Sequence, residues 1–90
     1  MTPAQELENV LKEFASKLVD TPQALVIVFH EKDGKIFFLL SSKSKGEIGQ
    51  LIGERGNIAN SLRVLLRAVS RKMRTKEVSL AVTPEITAQF

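Results

Sequence analysis

The chain has 90 residues, 43% of them hydrophobic, with no Cys, Trp or Tyr, a single His and a formal net charge of +3. That length provides one small domain near the lower limit for folding on a single hydrophobic core, and the missing Cys excludes disulfides and removes the usual zinc ligands. No apolar run reaches the ~18 residues of a membrane span, and the polar, acidic N-terminus is unlike a signal peptide, so the expectation is a soluble, cytoplasmic protein without a membrane partner or cofactor.

Charge is divided along the chain. Residues 1–42 carry −2, residues 43–76 carry +7 and the remainder carries −2. A local basic field of that kind attracts polyanions, nucleic acid above all, even when the whole molecule is nearly neutral.

Thr2-Pro3-Ala4-Gln5 combines an N-cap Thr, a Pro at the first helical position and a Gln at the capping-box position, which predicts a helix start. Leu7, Val10, Leu11, Phe14 and Leu18 then form one apolar stripe, with Glu6, Glu8, Lys12, Glu13 and Lys17 on the other faces. Asp20-Thr21-Pro22 stops the helix.

Two strands follow, Ala24 to Glu31 and Lys35 to Ser41, both rich in β-branched and aromatic residues and joined by a turn containing Asp33-Gly34. They read as an antiparallel hairpin. The uninterrupted apolar run Ile36 to Leu40 predicts a central strand, with helices covering one face. Ser41 to Lys45 is a polar connection.

The stretch from Gly46 to Ile58 reads as a short helix, an elbow and the start of a longer helix. Ile48, Leu51 and Ile52 share one helical face, and Ser44 with Glu47 has the spacing of a capping box. Gly53 and Gly56 open backbone angles closed to other residues, so that Glu54 and Arg55 alone reverse the chain with the backbone bare. Asn57 is the expected cap of the next helix, whose N–H groups and positive dipole end then lie beside the elbow and suit a phosphate.

That helix is predicted from Ile58 to Lys72, with Ile58, Leu62, Leu65, Leu66, Val69 and Met73 as its core stripe. Arg63, Arg67, Arg71 and Arg74 line another face. Glu77 to Val82 alternates as a half-buried strand, and its two-helix connection to Lys35–Ser41 is long enough for parallel pairing. Residues 84–90 form a tail in which Ile86 and Phe90 are apolar enough to dock, the alternative being a disordered tail.

Ile52-Gly53-Glu54-Arg55-Gly56-Asn57-Ile58 resembles the I-G-x-x-G elbow of the KH (K homology) RNA-binding domain, and the α-β-β-α-α-β order is similar to its type II arrangement. Domain length, the first helix, Gly46 and Gly49 before the elbow and Ala59, Leu62 and Arg63 after it resemble the small bacterial single-KH-domain, KhpA-like family. The likeness covers Leu7 to Val82. It implies an α+β fold, a three-stranded mixed sheet covered on one face by three helices, with residues 1–83 as the KH type II domain and 84–90 as the tail. One departure is Ala59, where the general pattern has a bulky aliphatic; Ile58 beside it is expected to supply that packing.

The resemblance further implies single-stranded RNA as the partner, held in a groove for about four nucleotides. Gly53, Glu54, Arg55, Gly56 and Asn57 form the backbone-contacting elbow, with Glu54 turned from the phosphates. Ile48 and Ile52 floor the groove, with one face of Ile36, Phe38 and Leu40 as a further floor or as ordinary core. Arg63 and Lys45 flank it; the remaining arginines either continue the phosphate path or form a solvated face. Without Trp or Tyr for stacking, base contacts are aliphatic and hydrogen-bonded.

The expected role is a post-transcriptional regulator or RNA chaperone. The alternative is a protein–protein module, since KhpA-like proteins form homodimers or pair with a larger, Jag-type KH protein in control of cell elongation or division. His30 beside Glu31 has no catalytic or metal-binding partner in the sequence, and no acid pair, Ser-His arrangement or P-loop occurs, so an enzyme is not expected.

Overall fold

Thr2 and Gln5 open the first helix by exchanging hydrogen bonds: the Thr2 hydroxyl accepts from the Gln5 N–H at 3.2 Å and the Gln5 side-chain oxygen accepts from the Thr2 N–H at 3.0 Å. With Pro3 at its first position this is the expected capping box, and it starts α1, Pro3–Ser16. The molecule is seen in a computed structural model that describes residues 2–44, 46–74 and 77–84. Lys45 and the tail residues Ile86 and Phe90 lie outside the described residues.

The core face of α1 is Ala4, Leu7, Leu11 and Ala15, continued by Val19. Phe14 and Leu18, expected in that stripe, are instead 44% and 38% exposed. The spacing of four between Leu7, Leu11 and Ala15 puts the small alanines against the rest of the molecule, which rotates Phe14 and Leu18 to the flank.

A 3₁₀ turn at Pro22–Ala24 leads into β1, Leu25–Lys32, and β2, Lys35–Ser42. Asp33 and Gly34 both have positive φ, 52° and 78°, the signature of a two-residue type I′ hairpin whose twist matches that of the strands. The strands pair antiparallel from Leu25 opposite Ser42 to Lys32 opposite Lys35. Strand β3, Glu77–Val82, pairs parallel to β2, so the order is β1-β2-β3 with the apolar run in the centre.

Among the described residues, helices cover one face of the sheet. Ile36, Phe38 and Leu40 of β2 and Val78 and Leu80 of β3 are buried with α1, Leu51, Leu62 and Leu66, and the Phe29 and Phe38 rings meet at 5.8 Å. On the opposite face Phe37 is 36% exposed. A central position therefore accounts for the hydrogen bonding of the apolar run rather than for burial on both sides.

The two remaining helices are α2, Glu47–Ile52, and α3, Asn57–Lys72. The fold is α+β, a three-stranded mixed sheet with helices, and the sharp junction between α2 and α3 is what the rest of the molecule holds in place.

Candidate nucleic-acid interface

Helix α2 has six residues and no side-chain cap: Gly46 stands at its N-cap in a helical conformation. The expected Ser44–Glu47 capping box does not form. Ser44 supplies its carbonyl to the Glu47 N–H at 3.0 Å, while the Glu47 carboxylate turns away to accept from the Thr21 N–H at 3.1 Å. The glutamate is thereby drawn into the interior, 4% exposed, and is lost to its own helix end.

The chain leaves α2 through Gly53, with φ 74° and ψ 174°, a region open essentially to glycine alone. Arg55 (φ 56°, ψ 26°) and Gly56 (φ 76°, ψ 13°) are both left-handed. Three positive-φ residues within four positions reverse the chain. The turn is internally bonded rather than bare: the Gly53 N–H donates to the Gly49 carbonyl at 2.8 Å, the Gly56 N–H to the Gly53 carbonyl at 3.2 Å and the Asn57 N–H to the Glu54 carbonyl.

The glycines do different work. A β-carbon on Gly53 would collide with the side chain and backbone of Ile58, so this residue exists to let α3 pack against the end of α2. A β-carbon on Gly56 would meet nothing closer than the Asn60 amide at 3.9 Å. The space outside Gly56 is open to a ligand, and the flanking Glu54 and Arg55 are exposed.

Asn57 does not cap α3. It is the first helical residue, at φ −60° and ψ −40°, and the cap position falls to the left-handed Gly56, which has no side chain to offer. The reversal uses one residue more than the spacing implied. No side chain caps the first turn of α3, which leaves that end of the helix, with its positive dipole, suited to an external anion.

Ile52 is 38% exposed beside the elbow, and Ile48 is half-buried on the same helix. Ile36, Phe38 and Leu40 point into the core at 1%, 1% and 0% exposure and offer nothing to a ligand. Ala59 is buried at 3%, and Ile58 packs partly buried against the core.

Arg63 is half-buried and engaged: its Nε donates to the Leu80 carbonyl at 2.8 Å and its Nη1 to the Asn60 side-chain oxygen at 2.6 Å. It ties α3 to the outer side of β3. Arg67, Arg71 and Arg74 are exposed and leave the elbow along α3. Lys45 lies outside the described residues.

Two features were not anticipated. One is the role of Glu47, expected as a cap, although it is one of two acids among nine basic residues in the 43–76 segment. The other is a cleft of about 300 Å³ between α1 and α3, lined by Phe14, Leu18, Ile58, Leu62 and Leu65. Its signal was a surplus of apolar positions on α1 beyond one face. His30 is half-buried, and among the described residues no three acidic, His or Cys side chains gather as a metal site. No described helix is long and apolar enough to cross a membrane.

Comparison with known proteins gives the family and the fold. The family model described as the KH domain of KhpA/KhpB matches residues 8–82. The RNA-binding protein KhpA of Listeria monocytogenes is 36% identical over 66 residues, which cover 73% of this chain and 86% of the relative, and the protein of the same name from Listeria innocua matches equally. Among solved structures, Era in complex with MgGDPNP and nucleotides 1506–1542 of 16S ribosomal RNA superposes with a TM-score of 0.73 at 16% identity over 94% of this chain. Era of Aquifex aeolicus bound to GDP and aluminium fluoride gives 0.69 at 15%. The chain spans 33% of either Era chain, and at these identities the likeness is one of fold.

Proposed function

Because this chain belongs to the KhpA/KhpB KH-domain family, we propose that it binds single-stranded RNA through the elbow from Gly53 to Gly56, as a non-enzymatic, cytoplasmic module acting as a post-transcriptional regulator or RNA chaperone. The observation that carries this reading is the open space outside Gly56 at the uncapped start of α3, within a segment of charge +7. The RNA backbone passes over Gly53–Gly56, with Arg55 supplying a charge to a phosphate and Glu54 pointing away. Bases rest on Ile48 and Ile52, Asn57 offers its exposed amide, and Lys45 flanks the path. Arg63 borders the site chiefly by holding α3 against β3. The working unit is residues 1–83, with 84–90 as the tail.

The deciding experiment measures binding of short single-stranded RNA pools by the wild type and by a folded Glu54→Asp, Arg55→Asp variant. Salt-dependent binding that the variant loses supports the elbow; equal binding by both places the RNA elsewhere, with Arg67, Arg71 and Arg74 next to be tested.

A second reading is favoured by one observation, the apolar cleft flanked by the exposed rings and chains of Phe14 and Leu18. An exposed apolar cleft of this kind suits a protein partner, either a second copy or a larger Jag-type KH protein. Sedimentation of the wild type against Phe14→Glu tests it: concentration-dependent association, insensitive to salt and abolished by the substitution, supports pairing there.

A further inference from the structure

A helix of six residues is far too short to persist on its own, and α2 adds to that weakness a glycine at its cap and another, Gly49, inside it. Nothing lies within 4 Å of where a β-carbon would stand on either Gly46 or Gly49, so neither is there to permit close packing. Leu51, fully buried, anchors one point of the helix. Half-buried Ile48 adds a contact, and α3 packs against the far end of α2, so what this packing leaves least constrained is the direction of the helix's first turn.

Two hydrogen bonds remove that freedom. The Glu47 carboxylate accepts from the Thr21 N–H at 3.1 Å, 26 residues away in sequence, and the Gln50 amide donates to the Asp20 carboxylate at 3.1 Å, 30 residues away. Both bonds tie α2 to the same connection between α1 and β1. They differ in setting: the Gln50–Asp20 pair is exposed and open to competition by water, whereas Glu47 is 4% exposed.

The second carboxylate oxygen of Glu47 is buried without a hydrogen-bond partner among the described residues. Burying such a group opposes stability. The residue's value therefore lies in the bond it makes to Thr21 and the direction that bond gives the helix.

We infer that Glu47 is a positioning residue for the RNA site: by clamping the start of α2 to Thr21 it sets the angle at which α2 delivers Gly53–Gly56 to the ligand. This rests on the proposed RNA reading of the elbow. The glutamate touches no RNA itself.

The test compares Glu47→Ala, Glu47→Gln and the double variant Glu47→Ala, Gly49→Ala in the full chain, by two readouts. The first, taken without RNA, is amide hydrogen exchange at Leu51–Asn57. The second is affinity for a short single-stranded RNA at several salt concentrations. Glu47→Ala is expected to speed elbow exchange and weaken RNA binding by about tenfold each, with an unchanged salt slope because no phosphate contact is lost. Glu47→Gln keeps the acceptor for Thr21 and is expected to stay within about twofold of wild type. Gly49→Ala in the double variant strengthens the helix without restoring the clamp, and so is expected to leave affinity low.

Unchanged elbow exchange in folded Glu47→Ala overturns the positioning role, as does full rescue of affinity by Gly49→Ala, which would reduce Glu47 to helix stability. Absence of RNA binding by the wild type overturns the RNA reading instead, and the exchange data distinguish the two failures.

Discussion

Gly53 and Ile58 compete for one space: a β-carbon on the glycine would stand 2.8 Å from both the β-carbon and the backbone nitrogen of the isoleucine. The backbone nitrogen cannot swing aside as a side-chain end could. Gly53→Ala is therefore expected to cost at least about 2 kcal/mol, through the clash and the positive φ together, while Gly56→Ala pays only for its left-handed conformation, about 1 kcal/mol. Urea unfolding of the two variants checks the order; equal losses would mean that Gly53 has no special packing role.

Arg55 separates stability from binding. Its left-handed backbone costs about 1 kcal/mol in a non-glycine residue, so Arg55→Gly relieves strain that offsets the added freedom of the unfolded chain. The variant is expected to melt within about 1 kcal/mol of wild type and to bind RNA more weakly, with the salt slope reduced by about one. An unchanged slope would show that Arg55 neutralises no phosphate.

The arginines of α3 divide in the same way. Arg63→Ala removes two hydrogen bonds from a half-buried guanidinium, including the one to the Leu80 carbonyl, and is expected to lower stability by about 1–3 kcal/mol. Arg63→Lys is not expected to restore it, because an ammonium lacks the planar fork that serves both acceptors. Arg67→Ala, on an exposed site, is expected to stay within about 0.5 kcal/mol. Thermal melts of the three variants decide.

Gly49→Ala is expected to stabilise the protein by about 0.5–1 kcal/mol, since the site is open and α2 gains a better helix former. Denaturant titration at constant m-value is the check. A loss of stability would place an unseen demand on that backbone.

Local chemistry was the legible part of the sequence. Thr2 with Gln5, Asp33-Gly34 and the paired glycines at 53 and 56 each fix a short piece of backbone through their own side chains, or through having none. The strand order followed from the length of chain between β2 and β3. What escaped was whatever depends on a distant partner. Spacing placed Phe14 in the core and Glu47 on its own helix end, but the alanines of α1 face inward and Glu47 meets Thr21, 26 residues away. Asn57 was read as a cap because the extra left-handed residue, Arg55, leaves no mark in composition. Ile36, Phe38 and Leu40 carry the same pattern whether they face a core or a ligand.

The bond from Arg63 to Leu80 also bears on how copies of this chain can meet. The Thr83 N–H, one residue past β3, donates to the Leu40 carbonyl, and alternation along the strand then turns the backbone groups of Leu80 away from β2. Arg63 occupies the carbonyl at the middle of the β3 margin. A newcomer strand would have to evict a guanidinium to dock there. The arginine is thus a plug against strand addition along β3, a protection that Arg63→Ala would remove.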